Sequence, residues 1–573
     1  MKYLLVAINA KYIHSNLAVY DLKAYVREYE KEIEIAEYTI NQNPDEILKD
    51  IYKRKPDFIA YSCYIWNISM IEQLIKEVIK VLPKAEIWLG GPEASYRAKE
   101  FMQKYSFLRG IMIGEGEETF YQLLQYYKTG ERSLKEIQSI LYQEEGEIQE
   151  TKMGELLDLS SVPFPYQELT EFENRIIYYE SSRGCPFSCS YCLSSVDKKL
   201  RFRELSLVKK ELQFFLDEKV EQVKFVDRTF NCKRGHAFEI WQYILEHDNG
   251  ITNFHFEISA DLLTAEELKL MEKMRPGLIQ LEIGVQSTNS ETLKAIHRVM
   301  NLEMLKENVA AIHSFQNIHQ HLDLIAGLPY EDYHSFQNSF NEVYKMQPDQ
   351  LQLGFLKVLA GTQIWEDAKE GEMVYQDMPP YEVLYTKWIS YDEILVLKGI
   401  EQMVEAYYNS LQFTHSVAYL VPYFETPFSF YQKLADYYEK NTIFESKHSR
   451  IGRFLLLLDF AKDYLEEKQL IILKEKMVYD LYLRENAKSR PDFAKEEENW
   501  KEQRKDFYRQ EVKERRYLPK YQDYDGKQIA KMTHLERFSK NPVTDEEGEV
   551  WILFDYKERN PFTYAARTIE IKK

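Results

Sequence analysis

The sequence has little cysteine, glycine or proline for its length, and it has no excess of positive charge. Its 573 residues include 5 Cys, 21 Gly and 18 Pro, which excludes a disulfide framework and a collagen-like or low-complexity chain. Acidic residues outnumber basic ones by 93 to 74, a net charge of −19, which disfavours general nucleic-acid binding. The longest apolar runs, such as Phe454–Leu458, fall far short of the roughly 20 residues that cross a bilayer. We therefore expect a soluble, multidomain, cytoplasmic protein without membrane contact.

The first 130 residues alternate short apolar runs with stretches of helical periodicity. Five of these runs are predicted to be strands: Lys2–Ile8, Glu34–Ile40, Asp57–Cys63, Ala85–Leu89 and Leu108–Ile113. Apolar strands separated by helices predict a doubly wound, Rossmann-like parallel sheet, whose ligand lies beyond the carboxyl ends of the strands. We place this domain at residues 1–135 and a hairpin with a linker at residues 136–172.

A second series of strands and helices follows the linker. Six strands are predicted, at Ile176–Ser182, Val220–Asp227, Asn253–Ala260, Leu278–Ser287, Gln320–Gly327 and Asp349–Leu359. This series predicts a (β/α)6 partial TIM barrel over residues 173–370, in which chemistry gathers on the loops after the strands. Residues 371–573 lose the alternation, so we expect a mostly helical carboxy-terminal domain of unknown role that ends in a hairpin at Glu549–Ile571. The fold class is therefore α/β with a helical third domain.

Three cysteines lie on one loop directly after the first predicted barrel strand. Cys185, Cys189 and Cys192 form a CxxxCxxC pattern. A 4Fe-4S cluster normally takes four cysteines, so three thiolates would leave one iron open to a ligand from outside the chain. A structural zinc would need a fourth ligand, for which Cys232 and His236 are the nearest candidates. Three free thiols on one loop would invite oxidation, and a 4Fe-4S cluster is our leading interpretation.

This motif, with an aromatic residue before its last cysteine, resembles that of the radical S-adenosylmethionine (SAM) superfamily. The resemblance implies that SAM binds the open iron and is cleaved reductively to a 5′-deoxyadenosyl radical. It also implies that side chains at successive strand ends hold SAM. The residues carried over are Tyr191, Asp227, Glu257, Gln286, Arg298 and Asp323. The sequence departs from the family where Asp227-Arg228-Thr229 replaces a Gly-Gly pair, which puts the SAM contacts there in doubt.

The domain ahead of the barrel resembles the cobalamin-binding domain of cobalamin-dependent radical SAM proteins. The resemblance implies cobalamin contacts from three loops, formed by Ser62, Tyr64, Trp66, Asn67, Gly90, Gly91, Pro92, Gly114, Glu115 and Gly116. A dinucleotide site would need GxGxxG after the first strand, and Asn9–Tyr12 does not supply it. The DxHxxG motif of methionine-synthase-like domains is also absent. We therefore expect base-off cobalamin without a histidine beneath the cobalt, with His14 as the alternative ligand, or else a retained scaffold that no longer binds the cofactor.

The two resemblances together imply a cobalamin-dependent radical SAM enzyme. The leading interpretation is methyl transfer to an unactivated carbon of an unknown substrate, with electrons from a flavodoxin or a ferredoxin. The alternatives are a non-methylating radical reaction, such as ring contraction, cyclisation or oxidation, and a protein that senses cobalamin or SAM. RNA modification is a further alternative, which the net charge of −19 disfavours. No residue is indicated as a general acid or base.

Overall fold

The chain divides into two compact units. The computed structural model describes all residues except 131, 371, 488, 495–497, 562, 572 and 573. The first unit comprises Met1–Gln320, Ile325–Asp332 and Gly354–Ser390, and the second comprises His321–Leu324, Tyr333–Leu353 and Tyr391–Lys573. Within the described part of the chain, no helix combines the length and the apolar character needed to cross a membrane.

The amino-terminal part of the first unit is a seven-stranded sheet in the order β2-β1-β3-β4-β5-β6-β7. Its strands are β1 (Tyr3–Asn9), β2 (Ile33–Thr39), β3 (Phe58–Ser62), β4 (Glu86–Gly90), β5 (Gly110–Met112), β6 (Ile140–Glu144) and β7 (Glu147–Glu150). The first five are parallel, and β6 and β7 add antiparallel to β5. The five predicted strands are therefore present, and the predicted hairpin extends their sheet.

Helices cover both faces of this sheet, because its strands are apolar on both sides. All seven residues of β1 and all five of β3 are buried, as expected for a central parallel strand. One apolar cluster packs β1, β3 and β4 against α2 and α3, and another packs the opposite face. The helices are α1 (Leu17–Tyr25), α2 (Pro44–Arg54), α3 (Ile68–Val81), α4 (Pro92–Tyr96), α5 (Ala98–Lys104) and α6 (Glu117–Thr129).

The barrel sheet has six strands in the order β8-β11-β12-β13-β14-β15. Its strands are β8 (Ile177–Tyr179), β11 (Gln222–Phe225), β12 (Asn253–Ile258), β13 (Ile279–Gln286), β14 (His319–Ala326) and β15 (Gln350–Phe355), and β9 (Ser182–Arg183) and β10 (Arg201–Phe202) form a separate small ribbon. Buried and half-buried residues alternate along β12 and β13. The apolar face is packed by helices, while the polar face lines the interior.

The barrel helices follow their strands in the order that the sequence predicts. They are α7 (Leu205–Asp217), α8 (Arg234–Glu246), α9 (Ala265–Glu272), α10 (Ser290–Ala295), α11 (Leu302–Phe315) and α12 (Tyr333–Lys345). After β15 come α13 (Gln363–Glu370), β16 (Val374–Tyr375) and β17 (Val383–Tyr385). The domain limits predicted at 135, 172 and 370 stay predictions, and residue 371 lies outside the described residues.

The carboxy-terminal part of the second unit is mostly helical, as predicted. Its helices are α14 (Tyr391–Val404), α15 (Thr414–Leu420), α16 (Pro427–Lys440), α17 (Arg450–Ala461), α18 (Glu467–Arg484), α19 (Glu498–Glu514) and α20 (Gly526–Met532). The predicted hairpin is present as β19 (Glu547–Arg559) and β20 (Ala566–Ile571), and β18 (Thr533–Lys540) adds a third antiparallel strand. The sequence analysis missed β18.

A π-helical turn, Glu405–Asn409, continues α14. Its last residue, Asn409, accepts a hydrogen bond from Leu351 N and donates one to Leu351 O, both at 2.9 Å. Leu351 belongs to β15, the last strand of the barrel sheet. The side-chain amide of Asn409 thus takes the place of a neighbouring strand at that residue.

Candidate active site

The cysteine loop leaves β9 through a glycine that no other residue could easily replace. Gly184 has φ +91°, and a Cβ there would lie 2.7 Å from Lys199 O. The loop is held by backbone hydrogen bonds from Cys185 N to Asp197 O (3.1 Å) and from Ser190 N to Ile296 O (2.9 Å). These contacts fix the loop through its backbone and leave its side chains available.

The three loop cysteines are unpaired thiols at the mouth of the barrel. Cys185 and Cys189 are buried and Cys192 is half-buried. Three unpaired thiols on one short loop are the donor set that a 4Fe-4S cluster with one open iron would need.

Asp227 supports the start of this loop from the end of β11. It is fully buried and accepts hydrogen bonds from Ser181 N (2.9 Å), Ser181 Oγ (2.6 Å) and Ser182 Oγ (2.6 Å). Burial raises the pKa of its carboxyl to about 6, against the lowering effect of these hydrogen bonds. Oδ1 accepts from both serine hydroxyls and Oδ2 from one backbone N–H, so a contact between Asp227 and SAM would have to use the remaining acceptor site of Oδ2.

A cradle lined by unsatisfied polar atoms lies at the end of β13. Gln286 Oε1 and Arg298 Nε are buried without a hydrogen-bond partner, which is uncommon for buried polar atoms. Gly284 lies beneath both side chains, where a Cβ would collide with the Gln286 amide and lie 3.5 Å from Arg298 Nη2. Gln286 also has φ +70°, a strained conformation of the kind found at functional sites. The orphaned atoms and the missing Cβ fit a polar ligand such as SAM.

The other predicted SAM residues lie on separate elements. Tyr191 is half-buried; burial and Cys189 raise its pKa, while Arg298 opposes the rise. Glu257 is half-buried on β12 and is in register with Glu282 of β13. Asp323 lies on β14 in the second unit, with its carboxylate 3.0 Å from His321 Nε2. Of these predicted residues, Tyr191 lies on the cysteine loop and Arg298 lies next to it.

The first predicted cobalamin loop follows β3 and presents a flat aromatic pair. Tyr64 and Trp66 stack with ring centroids 4.4 Å apart and planes inclined by 7°, and Trp66 is 43% exposed. Asn67 is fully buried, donates to Ile8 O and Ser62 O, and accepts from Tyr64 N at 2.7 Å. Tyr64 and Trp66 could therefore contact a ligand, whereas Asn67 shapes the loop.

The other two predicted cobalamin loops begin at strand ends. Gly90 ends β4, and Gly91 (φ +94°) precedes Pro92 at the start of α4. A Cβ at Gly91 would lie 2.6 Å from Cys63 O, so the two loops pack backbone to backbone. Gly114 also has a positive φ, +73°, and Gly116 precedes α6. These glycines permit close approach at the carboxyl edge of the sheet.

Glu115, which the sequence analysis assigned to cobalamin, takes part in an ion-pair network with the cysteine loop. It is paired with Arg201, lies 3.6 Å from Arg183 Nη1, and accepts from Leu157 N at 3.1 Å. Arg183 also donates to Glu117 (2.8 Å) and to Glu180 (2.7 Å). We call these five charged residues the arginine clamp. Arg183 and Arg201 were not predicted as site residues, although Arg183 directly precedes Gly184 and Cys185.

His14 faces the first barrel strand. Its Nδ1 lies 2.7 Å from Tyr178 Oη, and its backbone oxygen accepts from Asn9 Nδ2 at 3.0 Å. Burial lowers the pKa of His14, helped by Lys11 and Lys224. One ring nitrogen is thus committed to Tyr178, which leaves Nε2 as the only nitrogen able to bind a metal.

Comparison with protein families identifies the two parts that meet at this site. Residues 3–124 match the B12 binding domain and residues 179–343 match the radical SAM superfamily. The chain carries a B12-binding domain and a radical SAM domain. Residues 369–554 match a family described as a protein of unknown function, DUF4080.

The chain is similar to several known proteins. The cobalamin-dependent radical SAM methyltransferase TokK of Streptomyces tokunonensis is 26% identical over 311 residues, which are 50% of this chain and 45% of TokK. The uncharacterized methyltransferase PH0819 of Pyrococcus horikoshii is 23% identical over 371 residues, 62% of this chain and 77% of that protein. The structure of the cobalamin-dependent SAM radical enzyme OxsB, with aqua-cobalamin and SAM bound, has a TM-score of 0.59 at 16% identity and covers 83% of this chain and 80% of OxsB. At that identity the likeness shows the fold. The match spans about half the length of TokK.

The predicted site residues therefore lie on both sides of the junction between the B12-binding domain and the radical SAM domain. The arginine clamp joins the last glycine loop of the B12-binding domain to the cysteine loop of the radical SAM domain. The sequence analysis missed Arg183 and Arg201 because they form ion pairs across this junction. Hydrophobic periodicity gives no information on such contacts. Gly284 could have been noticed as a glycine inside a strand, which commonly marks a close approach.

Proposed function

We propose that the protein is a cobalamin-dependent radical SAM enzyme that transfers a methyl group to an unactivated carbon. The observation that carries this proposal is the clamp between the two cofactor domains, with Arg183 2.8 Å from Glu117 and Arg201 paired with Glu115. It joins the loop with three free thiols to the edge of the sheet where cobalamin would bind. TokK and PH0819 are both described as methyltransferases, which favours methyl transfer over the other radical reactions.

In this proposal the chain holds three cofactors with separate sets of residues. Cys185, Cys189 and Cys192 bind a 4Fe-4S cluster. Gln286 and Arg298 are the main residues that bind SAM. Tyr64 and Trp66 offer the flat apolar surface for cobalamin, and Gly90, Gly91, Gly114 and Gly116 let it approach the backbone. When bound, these groups supply a deoxyadenosyl radical and a methyl donor. The half-buried polar face of β12 and β13 would orient polar groups of the ligands.

This chemistry also needs an electron donor and a suitable location in the cell. Reductive cleavage of SAM takes one low-potential electron per turnover, for which a flavodoxin or a ferredoxin is the expected donor. An oxygen-sensitive cluster and such a donor imply a cytoplasmic location.

Anaerobic reconstitution of the full chain tests the proposal. The protein is purified with hydroxocobalamin, iron and sulfide, reduced, and incubated with SAM. We expect about four irons per chain, bound cobalamin, and formation of 5′-deoxyadenosine. With a substrate that accepts the methyl group, S-adenosylhomocysteine is also expected, because one SAM is the methyl source and another is the radical source.

Matched cysteine variants provide the control. Cys189→Ala should lose iron and all SAM cleavage, whereas Cys63→Ala, which removes a buried thiol of the apolar core, should retain both. Zinc in place of iron in the native protein would refute the radical chemistry. A full cluster and cobalamin without SAM cleavage would instead favour the sensing alternative.

A further inference from the structure

The geometry points to a second role for Arg298, beyond its predicted contact with SAM. Its Nη1 lies 3.8 Å from Cys189 Sγ, and its Nη2 donates to Gly284 O. The guanidinium therefore contacts a predicted ligand of the cluster directly. We propose that Arg298 raises the reduction potential of the cluster by placing a fixed positive charge against the sulfur of Cys189.

The charge on Arg298 is held in one position. The residue follows α10, where Arg298 N donates to Leu293 O at 2.9 Å, and Gly284 leaves room for the side chain to lie across β13. Burial lowers the pKa of Arg298, but Tyr191, Cys189 and Asp261 outweigh this effect and raise it. An arginine guanidinium is not deprotonated in proteins, so its positive charge is permanent.

The electrostatic consequence follows from the charge change on reduction. Reduction adds one negative charge to the cluster and its thiolates, and a nearby cation stabilises the reduced state more than the oxidised state. Hydrogen bonds to the ligand sulfurs also set the potentials of such clusters. Because the guanidinium is partly buried, solvent screens this interaction only weakly. Arg298 thus makes electron transfer into the cluster easier before SAM is bound.

Thr229 offers a matched control at another cysteine. Its hydroxyl lies 3.9 Å from Cys185 Sγ, almost the same distance as Arg298 from Cys189, but it is uncharged. If the charge is what matters, removal of the Thr229 hydroxyl should move the potential much less than removal of the guanidinium.

The test is a redox titration of the reconstituted full chain without SAM, followed by electron paramagnetic resonance of the reduced cluster. At a fixed potential, Arg298→Gln should lower the ratio of reduced to oxidised cluster by about tenfold or more, which corresponds to a shift of about −59 mV for one electron. Arg298→Lys, which keeps the charge without the planar fork, should fall between Arg298→Gln and the native protein. Thr229→Val should match the native protein within about threefold.

This inference rests on the proposed function, but the two can fail separately. A native protein that assembles no 4Fe-4S cluster would overturn both. An intact cluster in Arg298→Gln with an unchanged midpoint would overturn the role of Arg298 alone, as would an equal shift in Thr229→Val. If Arg298→Gln does not retain its cluster, Arg298→Met decides, because it also removes the charge: a lowered midpoint supports the proposal and an unchanged midpoint overturns it.

Discussion

Arg183 Nη2 donates to Glu117 Oε1 at 2.8 Å and so joins the cysteine loop to the first turn of α6. The Arg183 side chain is 19% exposed and that of Glu117 is 6% exposed, so this ion pair is largely shielded from water. The carboxylates of Glu180 and Glu117 raise the pKa of Arg183 against the opposing effect of burial. Buried ion pairs therefore join the two cofactor domains at this point.

Removal of Arg183 should destabilise the protein strongly, because it leaves carboxylates buried without a partner. For Arg183→Gln we expect the free energy of unfolding to fall by about 3–5 kcal/mol, measured by urea denaturation. The control is Lys80→Gln, whose partner Glu77 lies at the same distance of 2.8 Å but on an exposed helix face; it should cost less than about 1 kcal/mol. Equal effects of the two variants would contradict the clamp.

Substitution of Gly91 should damage the predicted cobalamin edge. In Gly91→Ala the positive φ and the Cβ 2.6 Å from Cys63 O would force the backbone of two loops apart, at a cost of about 2–4 kcal/mol. Hydroxocobalamin binding, followed by its absorbance, should weaken at the same time. Gly250→Ala is the control, since Gly250 also has a positive φ (+77°) but no atom within 4 Å of a Cβ. It should cost only about 1–2 kcal/mol and bind cobalamin normally.

Gly284→Ala should impair SAM binding without loss of the cluster. A methyl group there would push the Gln286 amide aside and press on Arg298, so the dissociation constant for SAM should rise by about tenfold, as one lost hydrogen bond to a charged group would cause. Equilibrium dialysis with labelled SAM and iron analysis measure the two effects. Gly235→Ala, on α8 with open space around it, should leave both unchanged. Normal SAM affinity in Gly284→Ala would argue against the cradle.

The raised pKa of Asp227 should make stability depend on pH between about 4 and 6. The folded pKa of about 6 lies above the ordinary value of 3.8, so the folded protein holds a proton that the unfolded chain releases. The stability that this proton confers is fully present below pH 3.8 and is lost as pH rises through about 6, a difference of about 3 kcal/mol. Asp227→Asn should lack this component. Urea unfolding of both proteins at several pH values measures it, and parallel pH profiles would contradict the assignment.

The strands and the cysteine loop could be predicted because their signals are local. Apolar runs such as Phe58–Ser62 are buried on both faces, and the three cysteines lie within eight positions. The partners of polar residues are not local: Glu115 meets Arg183 and Arg201, 68 and 86 positions further along the chain. A glycine-flanked glutamate at a strand end gives the same pattern whether it faces a cofactor or a neighbouring domain. Its assignment to cobalamin therefore stays a prediction.

The third strand of the carboxy-terminal sheet escaped prediction for a different reason. Along β18, residues 533–536 are all buried. His534 packs on Tyr482 of α18, and Leu535 lies in one apolar cluster with Ile529 of α20. Thr533, His534 and Glu536 are polar residues in this buried stretch, so no alternation of apolar and polar residues marks it. His534 stacks on Tyr482, with centroids 3.5 Å apart, and pairs with Glu536 at 2.8 Å. These polar groups are paired in the folded structure, and the sequence alone does not identify their partners.

The side-chain amide of Asn409, in the helical region, protects the backbone of the last strand of the barrel sheet at Leu351. A strand at the border of a sheet offers unpaired backbone groups to any other chain, and at Leu351 both of these groups are already occupied. A protein truncated before the π-helical turn would expose these backbone groups. It would be prone to aggregate through this edge of the sheet. Loss of Asn409 should therefore be seen first as aggregation rather than as lost catalysis, because it uncovers the backbone of Leu351 at this border.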